Sequence, residues 1–157
     1  MTITDFKNWL KTKVDCPNWC TGGLRGTGEE SIVIYNGMAY INPTAVGGYS
    51  SYRGKGIRVL VHWNKNVEDS EIKAMEVYDA LYGLTNVMIE GKPEILPDRV
   101  LAPYSRDKET VIPDVREVPT YTRVIQINMR DPEPVYLGVD DSGVFEYVID
   151  FEMIIER

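Results

Sequence analysis

The sequence is poor in cysteine and has no long apolar run, and each absence excludes a class of protein. The only two cysteines among its 157 residues, Cys16 and Cys20, fit reduced thiols or one small disulfide but not a disulfide scaffold. No second cysteine pair follows, so a zinc site with four ligands is not expected. No stretch approaches the roughly 20 apolar residues of a transmembrane helix, so we predict a soluble protein that does not bind membranes. The first ten residues carry Asp5, Lys7 and Trp9 instead of the apolar segment of a secretory leader, and we expect synthesis in the cytoplasm.

Histidine is scarcer still, since His62 is the single histidine of the chain. It lies between Val61 and Trp63 in a strand-like segment, where an imidazole satisfied by a neighbouring group is the expected arrangement. A nucleophilic site built on it would need an orienting group and an oxyanion hole. We therefore predict no catalytic residue, no cofactor and no bound metal. A small α+β hydrolase or ligand-binding protein is an alternative, and a concave site with saturable turnover would identify it.

Positive charge is in deficit: 17 Lys and Arg stand against 24 Asp and Glu, for a formal net charge of −7. Such a balance disfavours general affinity for a phosphate backbone, although a nucleic acid could still pass by. Ten tyrosines and three tryptophans outnumber three phenylalanines. Aromatic side chains with a polar group are useful at surfaces that become dry on association. This composition indicates assembly with other subunits.

Apolar periodicity predicts one α+β domain over residues 1–157, with two helices packed on a mostly antiparallel sheet. The first helix covers 3–14, with Thr2 or Thr4 as its cap, and the second begins after Asn66 and ends near Gly83. The buried face of the second helix is predicted to comprise Ile72, Met75, Tyr78, Leu81 and Tyr82. The predicted strands are Ser31–Gly37, 57–63, which has apolar residues on both faces, 120–129 and the terminal segment, with a short hairpin at 86–96 around Glu90 and Gly91.

The end of the chain shows the clearest strand pattern. Every odd position from 145 to 155 is apolar, namely Phe145, Tyr147, Ile149, Phe151, Met153 and Ile155. Glu146, Asp150, Glu152 and Glu156 lie between them, and a period of two is typical of a strand with one buried face. The preceding Asp140, Asp141, Ser142 and Gly143 are interpreted as a turn. A calcium loop has the wrong spacing, and a pair of acid–base carboxylates is a further alternative.

Two segments lack apolar period and are predicted to be loops. Residues 98–120 are rich in proline and charge and should form a protruding loop, which we interpret as an arm for assembly. Residues 47–56 form a flexible loop that is locally basic and aromatic; it resembles single-strand binding surfaces, but on an acidic protein a loop that orders against a protein partner is favoured. The predicted assembly interface combines residues from these loops and the terminal turn: Tyr49, Tyr52, Arg53, Lys55, Leu101, Tyr104, Ile112, Asp140 and Asp141.

Two segments resemble a known family. VLVHWNKN, which runs into an acidic helix, and EPVYLGVDDSGVFEYVIDFEMIIER at the end of the chain are similar to the tail terminator, or tail completion, proteins of long-tailed phages. Members are often labelled minor capsid proteins in phages and prophages of Gram-positive bacteria. The resemblance covers 32–36, 56–91 and 133–157, and it does not extend to 98–120.

The resemblance implies a structural virion protein and no enzyme. Subunits of that family form a ring, expected to be a hexamer, that caps the finished tail tube, stops its polymerisation and offers the surface for head–tail joining. The implied partners are further copies of the chain, the tail tube protein and a head-completion or connector protein, with DNA passing through the ring without specific binding. The implied location is the virion, after synthesis in the cytoplasm of the host bacterium. Another phage neck or head-completion protein is the alternative, and it would bind the portal side instead of tail tubes.

Overall fold

The computed structural model describes residues 1–24, 29–39, 51–97 and 115–156, and it has the α+β fold that the sequence predicts. Two helices and nine strands occur within this part of the chain. Their bounds, in chain order, are α1 Ile3–Leu10, β1 Asn18–Thr21, β2 Ser31–Gly37, β3 Tyr52–His62, α2 Val67–Asp79, β4 Thr85–Glu90, β5 Glu94–Pro97, β6 Val115–Val118, β7 Tyr121–Met129, β8 Val135–Val139 and β9 Phe145–Glu156.

Seven strands form one sheet, and six of them follow the order β1-β2-β3-β9-β7-β4. The seventh member, β8, pairs with the first half of β9, along the same edge on which β7 pairs with the second half. All pairs are antiparallel except β1 with β2, so the sheet is mixed but mostly antiparallel. Strands β5 and β6 form a separate two-stranded ribbon.

The strand pattern predicted for the end of the chain is confirmed. Phe151, Met153 and Ile155 are fully buried and join α1 and α2 in one hydrophobic core. The ring centroids of Phe6 in α1 and Phe151 lie 5.6 Å apart. The even positions are not simply in water, however, because Val148 is buried and Glu152 is only 4% exposed. On this second face, Val148 lines a groove with Leu60 and Leu137.

The alternation predicted within 120–129 is partly wrong. A register shift between Val124 and Gln126 leaves Ile125 as the extra residue of a bulge. Residues on the two sides of a bulge change phase relative to each other. Val124 and Ile127 therefore both reach the core, although their positions in the numbering differ by an odd number, three.

Both helices begin where the sequence predicts. The Thr2 hydroxyl accepts from the Asp5 amide at 3.2 Å, and the Asp5 carboxylate accepts from the Thr2 amide at 2.6 Å, which is a reciprocal cap. The Asn66 side chain accepts from the Glu68 amide at 3.1 Å and caps α2. Helix α1 ends earlier than predicted, at Leu10, where Lys11 forms the C-terminal cap.

The buried face predicted for α2 is partly wrong. Tyr78 and Leu81 are buried as expected, but the other core-facing residues are Ser70, Ala74 and Val77. Ile72 is 61% exposed, Tyr82 is 66% exposed, and Met75 is also exposed. The helix carries two apolar stripes, and the sheet covers the stripe whose small residues allow close approach.

Three further predictions need correction. The segment 86–96 is not a hairpin, because β4 pairs with β7 and β5 pairs with β6. Strand β3 begins at Tyr52 instead of residue 57, since the end of β9 supplies a partner for Tyr52. The last part of the loop predicted at 98–120 contains a strand, Val115–Val118, while 98–114 lie outside the described residues.

Among the helices that the structure describes, none is long and apolar enough to cross a membrane.

Candidate assembly surfaces

Among the described residues, those predicted to form an interface do not gather at one place. Tyr52 and Arg53 lie at the start of β3, where they pair with Glu156 and Ile155 of β9. Asp140 and Asp141 lie in the turn before the opposite end of β9. The remaining members of the predicted interface, apart from Lys55, lie outside the described residues: Tyr49, Leu101, Tyr104 and Ile112.

Lys55 is engaged inside the subunit. Its Nζ donates to the Met1 carbonyl oxygen at 3.3 Å, which ties the start of the chain to β3. Burial lowers the pKa of the Lys55 ammonium group, and the neighbouring Arg53 lowers it further, while Asp5 opposes the shift. An ammonium group held in this way is a poor anchor for a second molecule unless the Met1 contact is given up.

Asp140 forms the predicted turn, which is confirmed. One of its carboxylate oxygens, Oδ1, accepts from the amides of Ser142 at 2.9 Å and Val144 at 2.8 Å, and Gly143 adopts a positive φ of 85°. The other oxygen, Oδ2, lies 3.0 Å from Nε2 of His62. The hydrogen bond from His62, followed by the one from Val144, lowers the pKa of the Asp140 carboxyl group. The carboxylate thus joins the turn to the end of β3.

His62 sits in a buried position that suits a structural contact better than acid–base chemistry. Its side chain is 2% exposed, and its Nδ1 atom has no hydrogen-bond partner among the described residues. A general base must come within hydrogen-bond reach of a substrate, and this imidazole is covered. The prediction that a neighbour satisfies the ring is correct for Nε2 and wrong for Nδ1.

Both cysteines are free thiols, and Cys16 is more deeply buried than Cys20. Cys16 is buried, and its Sγ donates to the Asn18 carbonyl oxygen at 3.2 Å. Burial raises the pKa of the Cys16 thiol, so the nucleophilic thiolate is disfavoured there. No cluster of three or more His, Cys, Asp or Glu that could hold a metal ion occurs in the described part of the chain.

The first exposed apolar surface spans one end of the sheet, where β3, β9, β7 and β4 lie side by side. A concavity of about 660 Å³ occurs here. Its lining residues are Arg53, Met88, Tyr121, Thr122, Arg123 and Glu156. The Met88 and Tyr121 side chains are 53% and 56% exposed. We call this surface the arginine patch. Of the predicted interface residues that the structure describes, Arg53 is the one that lines it, and Met88, Tyr121 and Arg123 were not predicted.

A second exposed surface lies between α2 and β8. Met75 of α2 and Val135 and Tyr136 of β8 are exposed and line a groove of about 540 Å³. Three carboxylates lie along the same groove, those of Glu71, Asp131 and Glu133, and the lining contains no Lys or Arg. We call this surface the acidic patch. The Tyr136 ring packs on Tyr147 with centroids 5.3 Å apart, so its position is fixed by the core strand.

A third surface covers the face of the sheet opposite the helices. Leu60, Leu137 and Val148 help to line a groove of about 590 Å³ there. Arg58 and Asp150 form a pair there, with two guanidinium–carboxylate hydrogen bonds of 2.8 and 2.6 Å. This pairing crosses β3 and β9 and thus stabilises the middle of the sheet.

The acidic patch was not predicted, because no strand was expected between residue 129 and the Asp140 turn. The available signal was the run PVYLGV, whose apolar residues stand between Pro134 and the Asp140 turn. In the structure this run is β8, and Val135, Tyr136, Leu137 and Val139 are all exposed.

Comparison of the chain with protein-family models, with curated proteins and with solved structures found no match.

Proposed function

We propose that the chain is a structural subunit that assembles with copies of itself into a ring at the end of a phage tail tube. In this role it ends tube polymerisation and provides the surface for head–tail joining, without catalysing a reaction. The resemblance of 56–91 and 133–157 to tail terminator proteins supplies the identity of the assembly. The partners are then the tail tube protein and a head-completion or connector protein, and the location is the virion.

The observation that carries the proposal is the exposed apolar content of β8. Four apolar side chains in its five residues are exposed. Val135 and Tyr136 share a groove with Met75 of α2, whereas Leu137 lines the groove on the opposite face of the sheet. Exposed apolar surface of this extent, on the edge of a sheet, is typical of a protein–protein contact. A subunit that works only within an assembly accounts for both the apolar strand and its position at an edge.

The charge of the chain supports the same role. A ring through which DNA passes should not bind the phosphate backbone, and a net charge of −7 opposes such binding. The carboxylates of the acidic patch add a local negative field. A head–tail connector that retained DNA would need a basic lining instead.

Electron microscopy of tail-tube polymerisation tests the proposal. Purified tail tube protein is polymerised with and without the chain, and tube lengths and tube ends are compared. We expect shorter tubes with a ring of density at one end, and rings of the chain alone at high concentration. Tubes that grow unchanged and remain uncapped would reject the tail-terminator function.

The same preparation separates the alternative of a neck or head-completion protein. A chain of that kind should bind DNA-filled heads at the portal and leave tail tubes untouched. Cosedimentation with heads and with tubes, in parallel, distinguishes the two roles.

A further inference from the structure

We infer that the acidic patch of one copy binds the arginine patch of the next copy, so that subunits associate head to tail through two different surfaces. The inference deepens the proposed function and rests on its premise that copies of the chain assemble. It adds which surfaces meet and which residues set their orientation.

Both patches have the composition of an interface. Each combines exposed apolar or aromatic side chains with charged groups, and protein interfaces contain both kinds of group. Met88 and Tyr121 provide the apolar part of the arginine patch, and Val135 and Tyr136 provide that of the acidic patch. Strands β4 and β8 are also edge strands within the described sheet, so each presents backbone groups that a strand from another copy can reach.

Charge decides which patch meets which. The acidic patch carries three carboxylates and no cation, whereas the arginine patch has two guanidinium groups and one carboxylate. Arg123 already contacts Glu156 at 3.8 Å and donates to Asn86 at 2.7 Å, and these exposed contacts hold its guanidinium group in place. Two acidic patches would repel each other, whereas an acidic patch facing an arginine patch brings opposite charges together.

The titration of nearby tyrosines supports the negative field at the acidic patch. Burial is the main reason why the pKa values of Tyr78 and Tyr147 are raised, and neighbouring carboxylates add to both shifts. Glu71 acts on Tyr147, while Asp131 and Glu133 act on Tyr78. The three carboxylates of the groove therefore act on two tyrosines of the adjoining core.

The two patches lie far apart along β9. Tyr147 of β9 lines the acidic patch, and Glu156 at the end of the same strand lines the arginine patch. Nine residue steps along a strand correspond to about 30 Å, which places the patches at opposite ends of β9. A contact between two different surfaces repeats from copy to copy, and it closes into a ring if the rotation between copies allows.

Two charge-reversed variants test the pairing. The first, Glu71→Lys with Glu133→Lys, makes the acidic patch basic, and the second, Arg53→Glu with Arg123→Glu, makes the arginine patch acidic. All four side chains are exposed, so the fold should tolerate the changes. Each variant alone would place like charges in contact, and we expect self-association to weaken at least about tenfold. Analytical ultracentrifugation over a concentration series measures it.

Mixing the variants gives the decisive result. In an equimolar mixture every reversed patch finds a partner of opposite charge, so we expect assembly to return to the level of the unmodified chain. A single chain with all four substitutions should assemble as well. Lys13→Glu and Glu29→Lys, exposed reversals away from both patches, should change nothing.

Several outcomes would overturn the inference. These are an unmodified chain that stays monomeric at its highest attainable concentration, a variant that assembles normally alone, and a mixture in which association does not return. Circular dichroism of each variant separates loss of contact from loss of fold, and a misfolded pair is replaced by Glu133→Gln with Arg53→Gln. Those neutral substitutions should each weaken association, and unchanged association would equally overturn the pairing.

Tail-tube capping separates this inference from the proposed function. If the variants lose self-association but the unmodified chain caps no tubes, the pairing holds and the tail-terminator function fails. If the unmodified chain caps tubes and both variants cap them equally well, the function holds and the pairing fails.

Discussion

Strands β8 and β9 are paired neighbours of similar apolar content, yet their environments differ. Five of the apolar side chains of β9 are fully or almost fully buried against the two helices, whereas four of those of β8 are exposed. The difference lies in the neighbours of each strand. Strand β9 has strands on both sides and helices over one face, while β8 has only β9 beside it in the described sheet. An exposed apolar edge strand is typical of protein–protein contacts, and the proposed self-association is based on it.

The largest difference between the two strands is expected when a buried side chain of β9 is shortened. Phe151→Ala removes a fully buried ring that packs on Phe6, and we expect a loss of about 3–5 kcal/mol in the free energy of unfolding. Leu137→Ala in β8 shortens a side chain that is 55% exposed, and should cost about 1 kcal/mol or less. Urea titrations of the two variants measure both values. Equal midpoints would show that β8 supports the fold as much as β9 does.

The turn that joins the two strands gives a smaller, pH-dependent effect. The folded-state pKa of Asp140 lies below its ordinary value of 3.8, so its contribution to stability is fully present above about pH 4 and is lost as pH falls through the folded-state pKa. Asp140→Asn removes this titration. We expect the thermal midpoint of the unmodified chain to exceed that of the variant at neutral pH, with the gap closing in acid.

Thermal melts of both proteins across the acid range measure the gap. Asp141→Asn is the matched control, because the neighbouring carboxylate is exposed at the tip of the same turn. A gap that does not depend on pH would contradict the prediction, because it would mean that the pKa of the Asp140 carboxyl group is the same in the folded and unfolded states.

The smallest expected effect lies on the exposed stripe of α2. Ile72→Ala removes a side chain that is 61% exposed and replaces a β-branched residue by the best helix former, so stability should change by less than about 0.5 kcal/mol. Val77→Ala on the buried stripe should cost about 2 kcal/mol. Chemical denaturation of both variants tests the assignment of the two stripes. A larger loss of stability for Ile72→Ala than for Val77→Ala would mean that the buried face predicted from the sequence is correct.

Periodicity and capping residues were sufficient to predict several elements. The strand at Ser31–Gly37, the apolar face of β9, the caps at Thr2 and Asn66 and the Asp140 turn are confirmed. Each depends on interactions between residues close in the chain, or on one uninterrupted period. The hairpin predicted at 86–96 is wrong because no local feature of the sequence indicates that β4 pairs with β7.

The candidate surfaces were less accessible to sequence reasoning. Arg53 was singled out for its local basic and aromatic neighbours, but its companions Tyr121 and Arg123 come from β7, about 70 positions later in the numbering. The carboxylates of the acidic patch likewise come from α2 and from the segment before β8. The predicted interface residues Tyr49, Leu101, Tyr104 and Ile112 lie outside the described residues, and their role stays a prediction.

By itself, the sequence determined which segments could be helix or strand and that the net charge opposes DNA binding. These properties follow from side-chain periodicity, capping groups and composition, all of which act locally or add over the chain. Only the tertiary structure decided which of two apolar stripes of α2 is covered and that β8 remains exposed. It also decided that charges of opposite sign gather at opposite ends of β9. Burial and surface charge depend on which distant segments become neighbours, and strand pairing fixes those neighbours only when the sheet forms.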